Sequence, residues 1–147
     1  MSDDTGRAPA LTFDHGAVSV PDLEAAITWY GEMLGFAVAR RFALPGNGAL
    51  AAMLVRGSLR MEVFQPQDGE PLQEARRHPD RDVELHGNKH VAFRVDDLAE
   101  TTRWFEAKGA DIAMRVAGSF GSAIFVRDVA GNLIEFLSRP AAGETAP

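Results

Sequence analysis

A chain of 147 residues, 46% hydrophobic and 24% charged, is one domain's length and can bury a real core. No apolar run nears the roughly 18 residues of a membrane span, the first seven residues lack a secretory leader's order, and a net charge of −6 argues against nucleic acid as a partner. The composition therefore reads as cytoplasmic, and the absence of cysteine leaves His and carboxylates to hold any metal.

In chain order, Phe13–Val20 alternates with β-branched and aromatic enrichment and predicts a strand. A helix follows over Asp22–Leu34, where Leu23, Ala26, Ile27, Tyr30 and Leu34 recur at helical spacing between an Asp22 cap and a Gly35 stop. Strands are predicted at Phe36–Phe42, Ala49–Val55 and Ser58–Phe64, parted by Pro45-Gly46-Asn47-Gly48 and Arg56-Gly57. A charged, proline-bearing stretch then leads to a strand at His90–Val95 and a helix at Asp97–Lys108. The last strands are predicted at Asp111–Val116, Ser122–Arg127 and Asn132–Leu137, with turns at Gly118–Gly121 and Ala130-Gly131-Asn132.

These elements are one pattern written twice. His15 and His90 stand 75 positions apart, as do Val20 and Val95, Leu23 and Leu98, and Trp29 and Trp104; Glu62 and Glu135 stand 73 apart. The chain reads as an α+β domain over 11–138, built of two βαβββ modules at 11–66 and 88–138. An excursion over 67–87 joins them across the surface or a site mouth. The polar ends, 1–10 and 139–147, read as flexible.

Strand alternation puts His15, Ala17 and Ser19 on one face and His90, Ala92 and Arg94 on its counterpart, while the bulkier valines and Phe93 point toward the helices. Glu135 lies inside Leu133-Ile134-Glu135-Phe136-Leu137, where an ionised carboxylate is costly unless paired or bound to a cation. Glu62 repeats the situation, with Arg60 as an alternative partner. A lone strand-start His is more often a surface residue and a lone buried Glu more often salt-bridged. Both recur at repeat-equivalent positions here, which favours His15, Glu62, His90 and Glu135 as ligands of one divalent metal. Two imidazoles and two carboxylates suit Zn, Ni, Co, Mn or Fe. Phe64, Leu133 and Arg94 are the candidate substrate contacts, the arginine for an anion; core packing or solvent is the plainer role for each. His78 and His86 are expected to be solvated, and Trp29 and Trp104 to serve the core or an interface.

The segments Phe13-Asp14-His15, Val20-Pro21-Asp22-Leu23, Met61-Glu62-Val63-Phe64, His90-Val91-Ala92-Phe93 and Gly131-Asn132-Leu133-Ile134-Glu135-Phe136 carry a resemblance. The chain resembles the vicinal oxygen chelate superfamily, which includes glyoxalase I, methylmalonyl-CoA epimerase, extradiol dioxygenases, and fosfomycin and bleomycin resistance proteins. It departs from that family's common Asp-Pro-Asp-Gly-Asn turn, having Asp128-Val129-Ala130-Gly131-Asn132. The resemblance implies that the two sheets form a cupped, incomplete barrel around a metal held from the first and last strands of each module.

The expected activity is Lewis-acid-assisted proton transfer on a small vicinal-oxygen substrate, as an isomerase, epimerase or lyase. Glu62 or Glu135 would be the general base. An Fe(II) extradiol dioxygenase using His15, His90 and Glu135 is one alternative, disfavoured by Glu62 as a fourth ligand. A metal-free binding protein of the bleomycin-resistance kind is another. A homodimer is expected, whether the modules pair within a chain or between chains.

Overall fold

The structure, a computed structural model, describes residues 7–140. The flexible ends expected from the sequence therefore lie largely outside the described residues. The eight strands and two long helices follow the predicted order. β1 (Gly16–Ser19), α1 (Leu23–Leu34), β2 (Ala37–Ala43), β3 (Leu50–Arg56) and β4 (Leu59–Gln65) make the first module. After a short helix α2 (Pro79–Asp82), the second module repeats them as β5 (Val91–Arg94), α3 (Leu98–Ala107), β6 (Asp111–Gly118), β7 (Gly121–Arg127) and β8 (Leu133–Ser138).

Each module folds its strands into one mixed sheet, in the orders β1-β4-β3-β2 and β5-β8-β7-β6. The first strand runs parallel to the last, and the other pairings are antiparallel. Even the irregularities recur: the register shifts at Val38/Arg40 in β2 and at Ile112/Met114 in β6. The repeat thus extends to local backbone geometry. The strands β1 and β5 are shorter than the alternation suggested. The residues carrying His15 and His90 precede the paired stretches, and Pro21, which has no N–H to donate, follows the end of the first. Asp22 and Asp97 cap the helices as expected, accepting hydrogen bonds from the backbone N–H of Ala25 (3.0 Å) and Glu100 (2.9 Å).

The two sheets do not close into a barrel. They turn their helix-facing sides into one common core, in which Tyr30, Leu54, Met61, Val63, Phe105, Val126 and Ile134 are fully buried. A run of aromatic contacts crosses from module to module: Tyr30 to Phe36 (6.3 Å), Phe36 to Phe93 (6.1 Å), Phe93 to Phe136 (5.9 Å) and Phe136 to Phe105 (4.7 Å between centroids). The sheets are in close contact at Gly16, where an added Cβ would fall 2.8 Å from Val91 Cγ2 of the second sheet and 3.2 Å from Met61 Sδ of the first. Trp104 Nε1 donates to Met33 O at 2.9 Å and so links α3 to α1, with its ring nearly half exposed. Trp29 packs on the core.

A buried polar hub seals the same junction. Asp128 is 5% exposed and accepts from the Ala130 and Asn132 backbone N–H (2.9 Å each), from Asn132 Nδ2 (3.0 Å), and from the Tyr30 hydroxyl of the other module (2.9 Å). Asn132 Nδ2 also donates to Ser19 O at 3.2 Å. Burial raises the Asp128 pKa from 3.8, opposed by the hydrogen bonds from Asn132, Tyr30 and Ala130. The Tyr30 hydroxyl is pushed well above 10 by burial and by the neighbouring carboxylate.

The excursion is not a bare loop. It contains a 3-10 turn (Glu74–Arg77) and α2, each four residues long and too short to leave a periodic trace in sequence. Buried Asp82 accepts from Arg76 Nε at 3.2 Å and Lys89 Nζ at 3.3 Å. Arg127 Nε of β7 donates to Arg77 O at 2.7 Å, which bolts the excursion to the second module. His78, expected to be solvated, lies 3.0 Å from Glu74 Oε1 and 3.5 Å from Arg127 Nη2.

Tyr30→Phe is expected to lower unfolding free energy by about 1.5 kcal/mol, and Asp128→Ala, which strands several donors, by about 3 kcal/mol; urea titration measures both. Because its native pKa is raised, Asp128 contributes stability that is fully present below pH 3.8 and is lost as pH rises through the native value. Asp128→Asn should lack that component, so the stability difference between wild type and variant should change across this window and stay flat on either side.

Candidate metal centre and adjoining cavity

His15 and Glu62 meet at the edge of the first sheet, and His90 and Glu135 at the equivalent edge of the second. The parallel registers set Ala17 beside Glu62 and Ala92 beside Glu135, so each carboxylate lies one pleat from its histidine. His15 Nε2 stands 3.9 Å from Glu62 Oε2, and His90 Nε2 stands 2.8 Å from Glu135 Oε2. Glu62 and Glu135 keep 19% and 15% of their side chains exposed, against 34% and 28% for the histidines. Both carboxylates are thus largely withdrawn from water, each with one imidazole within reach.

The two pairs do not converge within the chain. Among the described residues, no three His, Asp or Glu groups gather as a metal cage. The four candidates therefore form two pairs, one per sheet; the sequence left open whether all four would meet within one chain or between two. The shared core explains the separation, because it spends the inner faces of both sheets on each other and turns the ligand-bearing faces outward. Ala17 and Ser19 beside His15, and Ala92 and Arg94 beside His90, are exposed.

The half-sites differ in their second partners. Asp14 Oδ2 lies 2.6 Å from His15 Nδ1, which leaves Nε2 facing Glu62. That hydrogen bond from His15, helped by Arg60, holds the Asp14 carboxyl below its ordinary 3.8. Arg60, weighed as a partner for Glu62, reaches toward Asp14 instead, at 3.8 Å. His90 is steadied by packing: its ring meets the Phe125 ring edge-on at 4.9 Å. Asp14 belongs to the Phe13-Asp14-His15 motif, but exposed aspartates are common, and only its distance to Nδ1 gives it a role.

Arg94 is exposed and has no ion pair or hydrogen bond among the described residues. Phe64 is half-buried, in register with Ser19 and Ala51. Leu133 is 6% exposed and helps line a cavity of about 750 Å³. That cavity lies between the ends of β1 and β5 and the excursion, with Ala17, Ser19, Leu72, Arg77, Lys89 and Asn132 among its walls. None of the four ligand candidates lines it, but Ala17 is two residues from His15 on the same face, and Lys89 adjoins His90. The excursion was expected over the surface or a site mouth, and it roofs this cavity. No described helix is long and apolar enough to cross a membrane.

The fold and the repeated His/Glu pairs define a class, and comparison with known proteins agrees. Residues 12–136 match the model of the glyoxalase/bleomycin resistance protein/dioxygenase superfamily, and the chain belongs to that family. It is 29% identical over 86 residues to the mitochondrial methylmalonyl-CoA epimerase of Mus musculus, a match covering 58% of this chain and 47% of the epimerase. The aligned stretch is thus about half of that curated relative's length. A glyoxalase family protein from Enterococcus faecalis superposes with a TM-score of 0.72 at 23% identity, covering 86% of this chain and 96% of the other. A fosfomycin resistance protein from Listeria monocytogenes, solved with Mn(II) and dihydroxypropylphosphonic acid, superposes at 0.65 with 16% identity, covering 90% and 94%. At these identities the two structures speak to the fold alone.

The Asp14–His15 contact makes its own prediction. In wild type the neutral His15 ring should carry its proton on Nδ1. Asp14→Asn should raise the population protonated on Nε2, read from long-range ¹H–¹⁵N imidazole spectra, while the unfolding midpoint stays put. An unchanged tautomer ratio would mean that Asp14 does not orient the ring.

Proposed function

We propose that this protein is a divalent-metal-dependent enzyme that moves a proton next to a carbonyl of a small substrate with two neighbouring oxygens, as an isomerase, epimerase or lyase. The observation that carries the reading is the repeated His/Glu pair, each with Nε2 and Oε2 within 3.9 Å, on sheet faces left open in the single chain.

The donor set fits a metal. Two donors sharing a divalent ion at about 2.1 Å each stand roughly 3–4 Å apart, close to both pair distances. Two carboxylates would balance the dication's charge, and the imidazoles make the set suitable for Zn, Ni, Co, Mn or Fe. One pair alone is an incomplete cage, so the complete site is read as shared: His15 and Glu62 of one chain with His90 and Glu135 of a second copy. Leu11 and Phe13, 89% and 83% exposed beside the first half-site, are the apolar surface such a partner would cover. This makes the functional unit a homodimer with two sites.

When bound, the metal would act as a Lewis acid toward charge developing on the substrate oxygens. The protein's own share is to position and to move the proton. Asp14 aims His15 Nε2 at the site. Glu62 or Glu135, each half-withdrawn from water, takes the proton from the carbon and returns it. Arg94, without an ion partner on the His90 face, is placed for a substrate anion. The epimerase relative is consistent with this class of chemistry.

Elemental analysis of the isolated protein should find one metal per chain, lost or weakened at least tenfold in Glu62→Gln and in Glu135→Gln. The shared site adds a sharper test. His15→Ala/Glu62→Gln chains and His90→Ala/Glu135→Gln chains should each bind no metal as homodimers. Mixed after dissociation, they should regain one site per heterodimer. Absence of metal from wild type even after reconstitution would defeat the enzyme reading; failure of the mixture alone would return the site to a single chain.

A further inference from the structure

The cavity under the excursion is a built pocket rather than a gap beneath a loop. The second half of the excursion is clamped from two sides. Arg76 and Lys89 converge on buried Asp82, Arg76 Nη2 donates to Asn88 O at 2.5 Å, and Lys89 Nζ donates to Asp82 O at 2.6 Å. On the far side, Arg127 holds Arg77 O and is itself fixed by Asp111 at 2.8 Å. A volume of about 750 Å³ lies within the range of small-molecule sites.

Its charge runs against that of the chain. Arg76, Arg77 and Lys89 line it with Glu70 and Asp82, so three cations face two carboxylates and leave +1, in a protein of net charge −6. Arg76 and Lys89 are committed to Asp82; Arg77 is not. Among the described residues it makes one long hydrogen bond, Nη1 to Ala130 O at 3.4 Å, and one loose pairing, Nε to Glu74 at 4.0 Å. Its Nη1 lies 2.1 Å from where a Cβ on Gly131 would sit, so the guanidinium lies across the turn that this glycine, at φ +93°, leaves open. An arginine with spare donors is suited to a carboxylate or phosphate. The lining also has an apolar part, with Val20, Leu72, Val91 and Leu133 among its residues.

We propose that this cavity binds the far end of the substrate: an anionic group, carboxylate or phosphate, on an apolar stem, with the anion at Arg77. The binding itself is independent of the metal; only its link to catalysis rests on the function proposed above. The cavity adjoins both half-sites through Ala17 and Lys89, so an elongated molecule anchored there could present its other end to a half-site.

The test is calorimetric and NMR titration of the full, chelator-treated protein with octanoate, octyl phosphate and octylammonium. At least one of the two anions should bind one per chain, and the preferred one identifies the group. Octylammonium should bind at least tenfold more weakly, and amide shifts should cluster at 17–21, 69–77, 88–91 and 130–133. Arg77→Gln should weaken anion binding at least tenfold, and Leu72→Trp, which crowds the lining beside Arg77, should weaken it too. All of this should persist in the Glu62→Gln/Glu135→Gln variant, so a failed metal site leaves this result intact, and the reverse holds. Absence of anion binding, equal binding of the ammonium, or full affinity in folded Arg77→Gln would overturn the proposal.

Discussion

Both sheets bury the same side of themselves. Each βαβββ module has one face for its helix, and the two helix-facing sides are merged in a single core through the aromatic run from Tyr30 to Phe105. Once those faces are spent, everything that bears on chemistry must sit on the outer ones. The small residues Ala17, Ser19 and Ala92 face outward for this reason, and the His/Glu pairs among them remain two pairs. The junction tolerates little change: a methyl at Gly16 would meet Val91, and the Asp128 carboxylate needs donors from both modules at once.

That constraint gives the two half-sites different tasks from the core beside them. Glu62 and Glu135 are half-withdrawn from water by the strands that carry them, yet each faces a single imidazole and not a set of donors. Such a carboxylate is costly to hold and is stabilised by a cation or a proton. In the shared site proposed above, a second copy would bring the complementary pair. The clamped excursion adds what the pairs lack, a walled volume with a directed positive charge beside the open face.

Much of the architecture was legible because a repeat tests itself. The 75-residue offset aligned strands, helices and caps, so that Asp22 and Asp97 could be read as equivalent caps and are so in the structure. The strand faces that carry His15, Glu62, His90 and Glu135 followed from alternation, which depends only on backbone geometry; that each His meets the Glu of its own module did not. The excursion's helical turns were not legible, because four-residue elements hold no period. Asp82, Arg76 and Lys89 looked like ordinary surface charge in a polar stretch; that they close on one buried carboxylate depends on backbone positions 6 and 7 residues apart folding back together. Arg60, weighed as an alternative partner for Glu62, extends to Asp14 instead, because alternation gives a side chain's face and not its reach.

By itself the sequence determined the modules and the family, and it offered His15, Glu62, His90 and Glu135 as candidates, since these depend on periodicity, local backbone preference and donor chemistry. Only the tertiary structure decided how those residues are grouped. Whether two sheets meet through their helix faces or their open faces is a matter of long-range packing. Neither alternation nor spacing within one strand records which face another module will bury. The same packing decided that a cavity of about 750 Å³ lies beside the metal-binding candidates rather than among them.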